Sequence, residues 1–108
     1  MQIDLWKAEN EKGSYSVTAY IKNGCLRING QDLYPNKENI FGASEYEYIY
    51  GFDNLNTERL FNLIADNGLS NEAALLSKFS GEDGCAKLRE FCEANEIKYT
   101  FYSHFDTD

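Results

Sequence analysis

Glu45-Tyr-Glu-Tyr-Ile-Tyr-Gly-Phe-Asp53 is the stretch whose reading decides the fold of this chain. Tyr46, Tyr48, Tyr50 and Phe52 recur at every second residue, the period of an extended strand, so four rings share one face. Glu45, Glu47 and Ile49 take the other face. Beyond Asn54 the spacing changes, and Leu60, Phe61, Leu63 and Ile64 follow the i, i+3, i+4 pattern of a helix. A strand this bulky on one side needs a cover, and the helix that follows is the nearest candidate. The tyrosine face is therefore expected to meet helices, leaving the Glu47 face to solvent or a partner.

Upstream, Gln2 to Ala8 alternates loosely and reads as a first strand, with a polar turn ending at Gly13. Ser14 to Lys22 is a second strand, rich in Val, Thr, Tyr and Ile, with Val17, Ala19 and Ile21 inward. Asn23-Gly24 suits a two-residue type I′ turn, because both residues tolerate positive φ. Cys25 to Asn29 returns as a third strand with Leu26 and Ile28 inward, and Gly30 is expected to end it. Gln31 to Ala43 reads as a loop with one helical turn near Asn36–Ile40. A connection of that length is either a solvated crossover or a contact surface. Gly51, inside the aromatic strand, predicts a bulge or a close backbone approach.

Downstream, Asp53, Asn54 and Asn56 offer N-cap oxygens to a helix over Thr57–Asn67, with Asn67-Gly68 as its left-handed stop. Ser70 caps a second helix carrying Ala73, Leu75, Leu76 and Phe79, broken by Ser80 to Gly84. A third helix runs from Cys85 to Asn95, with Cys85, Leu88, Phe91 and Cys92 on one face. The last strand then alternates Ile97, Tyr99, Phe101 and Phe105 against Lys98, Thr100, Tyr102 and His104. The expected architecture is one α+β domain over residues 1–108, in the order β-β-β-β-α-α-α-β. Its sheet is mostly antiparallel, of about five strands, with helices packed on one face. The pattern leaves the partner of the last strand open.

Eighteen acidic residues against ten basic ones give a net charge of −8. Phosphate backbones and anionic lipid surfaces are bound through Lys and Arg, so direct nucleic-acid and membrane-surface binding are disfavoured. The opening Met-Gln-Ile-Asp-Leu-Trp lacks a basic segment followed by an apolar run, and no stretch is apolar enough to span a bilayer. The chain therefore reads as soluble and cytoplasmic. Cys25, Cys85 and Cys92 make no disulfide framework. Cys85 and Cys92, two helical turns apart, lack zinc-pair spacing and read as buried small hydrophobes. No metal or other cofactor is expected. His104, the one histidine, lies on a polar strand face, and catalysis there would need a carboxylate or Cys25 brought close by the fold. No catalytic residue is assigned and no enzymatic activity is expected. Glu45 and Glu47 form one acidic group, while Glu82, Asp83, Glu90, Glu93 and Glu96 gather around the third helix, tempered by Lys87 and Arg89. Such residues are either a solvated face or a surface that docks on a basic partner.

Ile28-Asn-Gly-Gln-Asp-Leu33, Glu45-Tyr-Glu-Tyr48, Phe52-Asp53 with Asn56-Thr57, and Cys85 through Cys92 before Ile97-Lys-Tyr99 complete a layout with a likeness. It resembles a class of small acidic bacterial proteins, some of which are immunity partners of secreted toxins. The resemblance implies a non-enzymatic cytosolic binder and carries no binding residue over. The expected function is a protein-binding module, an immunity-type inhibitor whose acidic surface occludes a toxin's basic active site. Its expected contact residues are Tyr34, Phe41, Glu45, Glu47, Glu82 and Asp83. The alternatives are a phage or mobile-element DNA mimic that inhibits a nuclease, a small enzyme using His104 with a carboxylate, and a homodimerising domain.

Overall fold

Five strands pair in the order in which the chain makes them. The computed structural model describes residues 1–34 and 43–107. They are β1 (Gln2–Asn10), β2 (Gly13–Lys22), β3 (Cys25–Leu33), β4 (Ala43–Gly51) and β5 (Thr100–Thr107). Each lies antiparallel to the next, so the sheet order is β1-β2-β3-β4-β5. Between β4 and β5 come α1 (Asn54–Ile64), α2 (Asn71–Phe79) and α3 (Gly84–Ala94). The expected α+β class, element order and one-sided helical layer are all present.

Local chemistry sets the turns. Asn10 Oδ1 accepts from the backbone N–H groups of Lys12 and Gly13, closing the first hairpin. Asn23 and Gly24 take φ of 54° and 77°, the type I′ geometry that matches strand twist. Ser70 Oγ accepts from Ala73 N and starts α2.

Several boundaries differ from expectation, among them the last strand, which starts at Thr100 and not at Ile97. The helix after the aromatic strand starts at Asn54, three residues early, because Asp53 alone caps it: its carboxylate accepts from Asn56 N at 2.8 Å. That helix ends at Ile64, so Gly68, at φ 85°, serves the following turn and not the helix stop. Gly30 does not end β3, which continues to Leu33. The missing Cβ is the reason, since a Cβ on Gly30 would lie 1.9 Å from Tyr48 Cζ. The Tyr48 ring lies over the glycine backbone and fills the place of its side chain. Of the two expectations for Gly51, the close approach is observed: register runs through it unbroken, and Thr100 Oγ1 would sit 2.9 Å from an added Cβ. The helical turn expected near Asn36–Ile40 lies outside the described residues.

The core joins Leu5, Val17, Ala19, Leu26, Ile28, Tyr50 and Phe52 of the sheet side to Leu60, Ile64, Leu75, Phe79, Leu88 and Cys92 of the helices. Two polar residues are buried at this junction, and both are hydrogen-bonded. Thr57 Oγ1 accepts from Leu26 N and donates to Phe52 O. Asn56 Oδ1 accepts from Lys98 N, tying α1 to the chain entering β5. Arg59 donates to the carbonyls of Asn95 and Glu96, fixing the end of α3. At the other side of the sheet, β1 bulges between Asp4 and Trp6, which turns Leu5 into the core while its carbonyl accepts from Gly81 N.

The topology decides where cover ends. Because β4 and β5 are antiparallel neighbours, the helical excursion leaves and rejoins the sheet at one end, where Gly51 pairs with Thr100. Helices of nine to eleven residues rise about 14–17 Å, whereas strands of similar residue count run about 30 Å. The layer therefore roofs one end of the sheet. The outline, 48 × 25 × 24 Å, is correspondingly elongated.

Candidate functional site

Beyond the roofed end, the helix-side face of the sheet continues without helices over it. Even-numbered residues of β4 point there, so Tyr46 and Tyr48 extend the line begun by buried Tyr50 and Phe52. Register adds Tyr15 and Asp32 beside Tyr46, with Phe105 on its other side. Tyr34 follows Asp32 on the same face, and Trp6 stacks on Tyr15 at 5.8 Å between ring centroids.

The rings form two connected runs. One is Trp6–Tyr15–Tyr34, the last contact edge-on at 6.3 Å. The other runs from Phe105 through Tyr46 at 4.4 Å to Tyr48 at 5.6 Å, and on to Phe101 and Tyr50. Exposure rises toward the edge strand: Tyr50 is 2% exposed, Tyr46 and Tyr48 beside it on β4 are half-buried, and Phe101 and Phe105 on β5 are 52% and 60% exposed. Rings in such offset and edge-on contacts hold one another rigid at little entropic cost, which suits a preformed contact surface.

One carboxylate lies within this aromatic platform. Asp32 Oδ2 accepts from Tyr34 Oη at 3.3 Å. Partial burial pushes the Asp32 carboxyl above its ordinary range, and the Tyr34 hydroxyl partly opposes that shift. Tyr34 is raised as well, first by burial and then by the Asp32 charge. At the roof's margin, burial raises the Tyr48 phenol, whose partner is the half-buried Cys85. Arg89 Nη1 donates to Tyr50 Oη at 2.6 Å, which closes the platform's inner border.

The sheet's opposite face is polar. Ser16, Thr18, Asn29, Gln31 and Glu47 line a shallow hollow of about 420 Å³. Asn29 Oδ1 is shielded from water there and has no hydrogen-bond partner among the described residues. Glu45 shares a hydrogen bond with Glu47, accepts another from Gln31 Nε2 and faces His104. Those contacts, Glu47 first, hold the Glu45 carboxyl below its ordinary range.

The expected contact residues thus separate. Tyr34 belongs to the aromatic platform. Glu45 and Glu47 lie together on the polar face, with His104 across from Glu47 in register. Glu82 and Asp83 lie in the α2–α3 turn, on the helical side, where Asp83 pairs with Lys87 at 3.6 Å. Phe41 lies outside the described residues. Cys92 is fully buried, and burial pushes its thiol up to about 11; Cys85 is raised by the same cause. Both are poor nucleophiles near neutral pH. Among the described residues no cluster of three or more His, Cys, Asp or Glu side chains could hold a metal ion, and no helix is long and apolar enough to cross a membrane.

Sequence reasoning placed the rings on one face but missed that Tyr46 and Tyr48 would be only half-buried. The signal was available in the lengths. Helical stretches of about ten residues cannot roof strands of nine or ten that rise twice as far per residue.

No protein-family profile, curated protein or solved structure matches the chain.

Proposed function

We propose that this chain is a protein-binding module, in its most concrete form a cytoplasmic immunity-type inhibitor that occludes the basic active site of a toxin. The observation that carries the reading is the partly exposed aromatic platform in which half-buried Trp6, Tyr15, Tyr34, Tyr46 and Tyr48 adjoin the exposed Phe101 and Phe105. A continuous patch of partly exposed rings on one face suits an interaction site, and Tyr and Trp are the residues that most often anchor interfaces. The net charge of −8 would steer a basic partner toward it and repel nucleic acid. Asp32 supplies an acceptor inside the contact, while Glu45 and Glu47 lie on the opposite face of the sheet, outside it, where charges act mainly on association rate.

The test is capture from the native host with the tagged chain at low salt. A basic protein should be retained, should leave at high salt, and should lose its own activity when the purified chain is added. Tyr34→Ala combined with Tyr46→Ala should abolish capture while far-UV circular dichroism stays unchanged. Equal capture and inhibition by the folded double variant would overturn the reading.

A further inference from the structure

The two outer edges of the sheet are built differently. The edge at β1 carries a bulge at Leu5 and the charged residues Asp4, Lys7 and Glu9. Bulges and charges are the devices by which natural edges avoid pairing. At β5, residues Thr100 to Phe105 contain no Lys, Arg, Asp, Glu, Pro or Gly. Their register with β4 is unbroken from Gly51/Thr100 to Glu45/Asp106. Phe101, Tyr102 and Phe105 are all more than half exposed, and no described strand pairs with the outer side of β5.

We propose that two copies of the chain pair through β5, antiparallel across a twofold axis centred on Ser103, and so join two sheets into one. An isologous interface must be complementary to itself, with residue i meeting j and j meeting i. Phe101-Tyr102-Ser103-His104-Phe105 has that property: aromatic, ring, small, ring, aromatic. Centring on Ser103 sets Phe101 against Phe105 of the second copy, Tyr102 against its His104, and Ser103 against itself. The Phe pairs fall on the helix side of the joined sheet and the Tyr–His pairs on its polar side. Moving the centre by one residue sets Phe101 against Ser103 or Thr107 and loses both Phe pairs. Charge supports the same occupant. Copies carrying −8 each repel, and Thr100–Phe105 is a stretch of edge that brings no carboxylates together. The pairing also continues the row Ala19–Ile28–Tyr50–Phe101 into Phe105–Tyr46–Asp32 of the second copy, so the two platforms adjoin.

Sedimentation of the full chain against concentration is the test. The wild type should sediment as a dimer that dissociates on dilution. Ser103→Lys and Ser103→Glu each place like charges opposite one another, roughly 5 Å apart between Cβ atoms, and each should halve the sedimenting mass. Mixing the two in equal amounts should restore the dimer. Phe101→Ala adds no charge and removes one ring from each aromatic pair; it should weaken dimerisation at least about tenfold, with circular dichroism as the check on folding. A wild type that stays monomeric at every concentration would overturn the proposal. So would a dimer indifferent to both charges and to Phe101→Ala, or open-ended polymers in place of a dimer.

Discussion

The two ends of the helix-side sheet face share one chemistry and have opposite fates. At the roofed end, Ile28, Tyr50 and Phe52 lie under Leu60, Leu75 and Leu88, and almost no surface reaches water. At the far end the same alternation continues, but Tyr46 of β4 is only half-buried and Phe105, its partner on β5, is 60% exposed. What separates them is position relative to the helical excursion, which begins beside Gly51 and ends beside Thr100. Aromatic content therefore does not tell core from contact surface in this fold. Distance from the β4–β5 crossover does so along β4, and place in the sheet does so across it, since Phe101 on edge strand β5 is 52% exposed although it pairs with buried Tyr50.

Substitutions should respect that division. Leu75→Ala, fully buried in α2, should cost about 2–5 kcal/mol through lost burial and the cavity left behind, read by urea unfolding. A cost near zero would mean that the helices are loosely attached. Gly30→Ala strikes the border between the ends. Its Cβ must displace the Tyr48 ring, which is held by Tyr46, Tyr50 and Phe101, so a loss of about 1–3 kcal/mol is expected. Stabilisation by this substitution would show that the ring does not lie over the glycine.

Asp32 gives a smaller, pH-dependent contrast. Burial holds its folded pKa above the ordinary 3.8, so the folded chain binds the proton more tightly than the unfolded chain. Stability from this group is highest below 3.8 and falls as pH rises through the raised folded value, above which the penalty is complete. Asp32→Asn removes the titration. The variant should gain on the wild type as pH rises through that window and keep the gain at neutral pH. Parallel stability–pH curves would contradict a buried carboxyl at the platform.

Much of the fold was legible because period and punctuation agree along the chain. The Asn23-Gly24 turn, the Ser70 cap and the ring alternation of β4 each name a structure by local chemistry. Gly30 misled because glycine signals a strand end unless the ring that fills its space is known, and Tyr48 is eighteen residues away. The start of α1 was read late because Asp53, Asn54 and Asn56 are chemically equivalent caps until Asn56 is drawn inward to meet Lys98 N. Of the candidate site, only the shared ring face was legible. That Trp6, Tyr15 and Tyr34 join it depends on register across β1, β2 and β3, which no local pattern encodes.

The division between the ends is tested most directly by unfolding Phe105→Ala beside Leu75→Ala in urea, at a protein concentration low enough to keep both monomeric. Phe105 is 60% exposed and loses one ring contact, so its removal should cost less than about 1 kcal/mol, well short of Leu75→Ala. A Phe105→Ala loss as large as that of Leu75→Ala would make the platform part of the core and contradict the account.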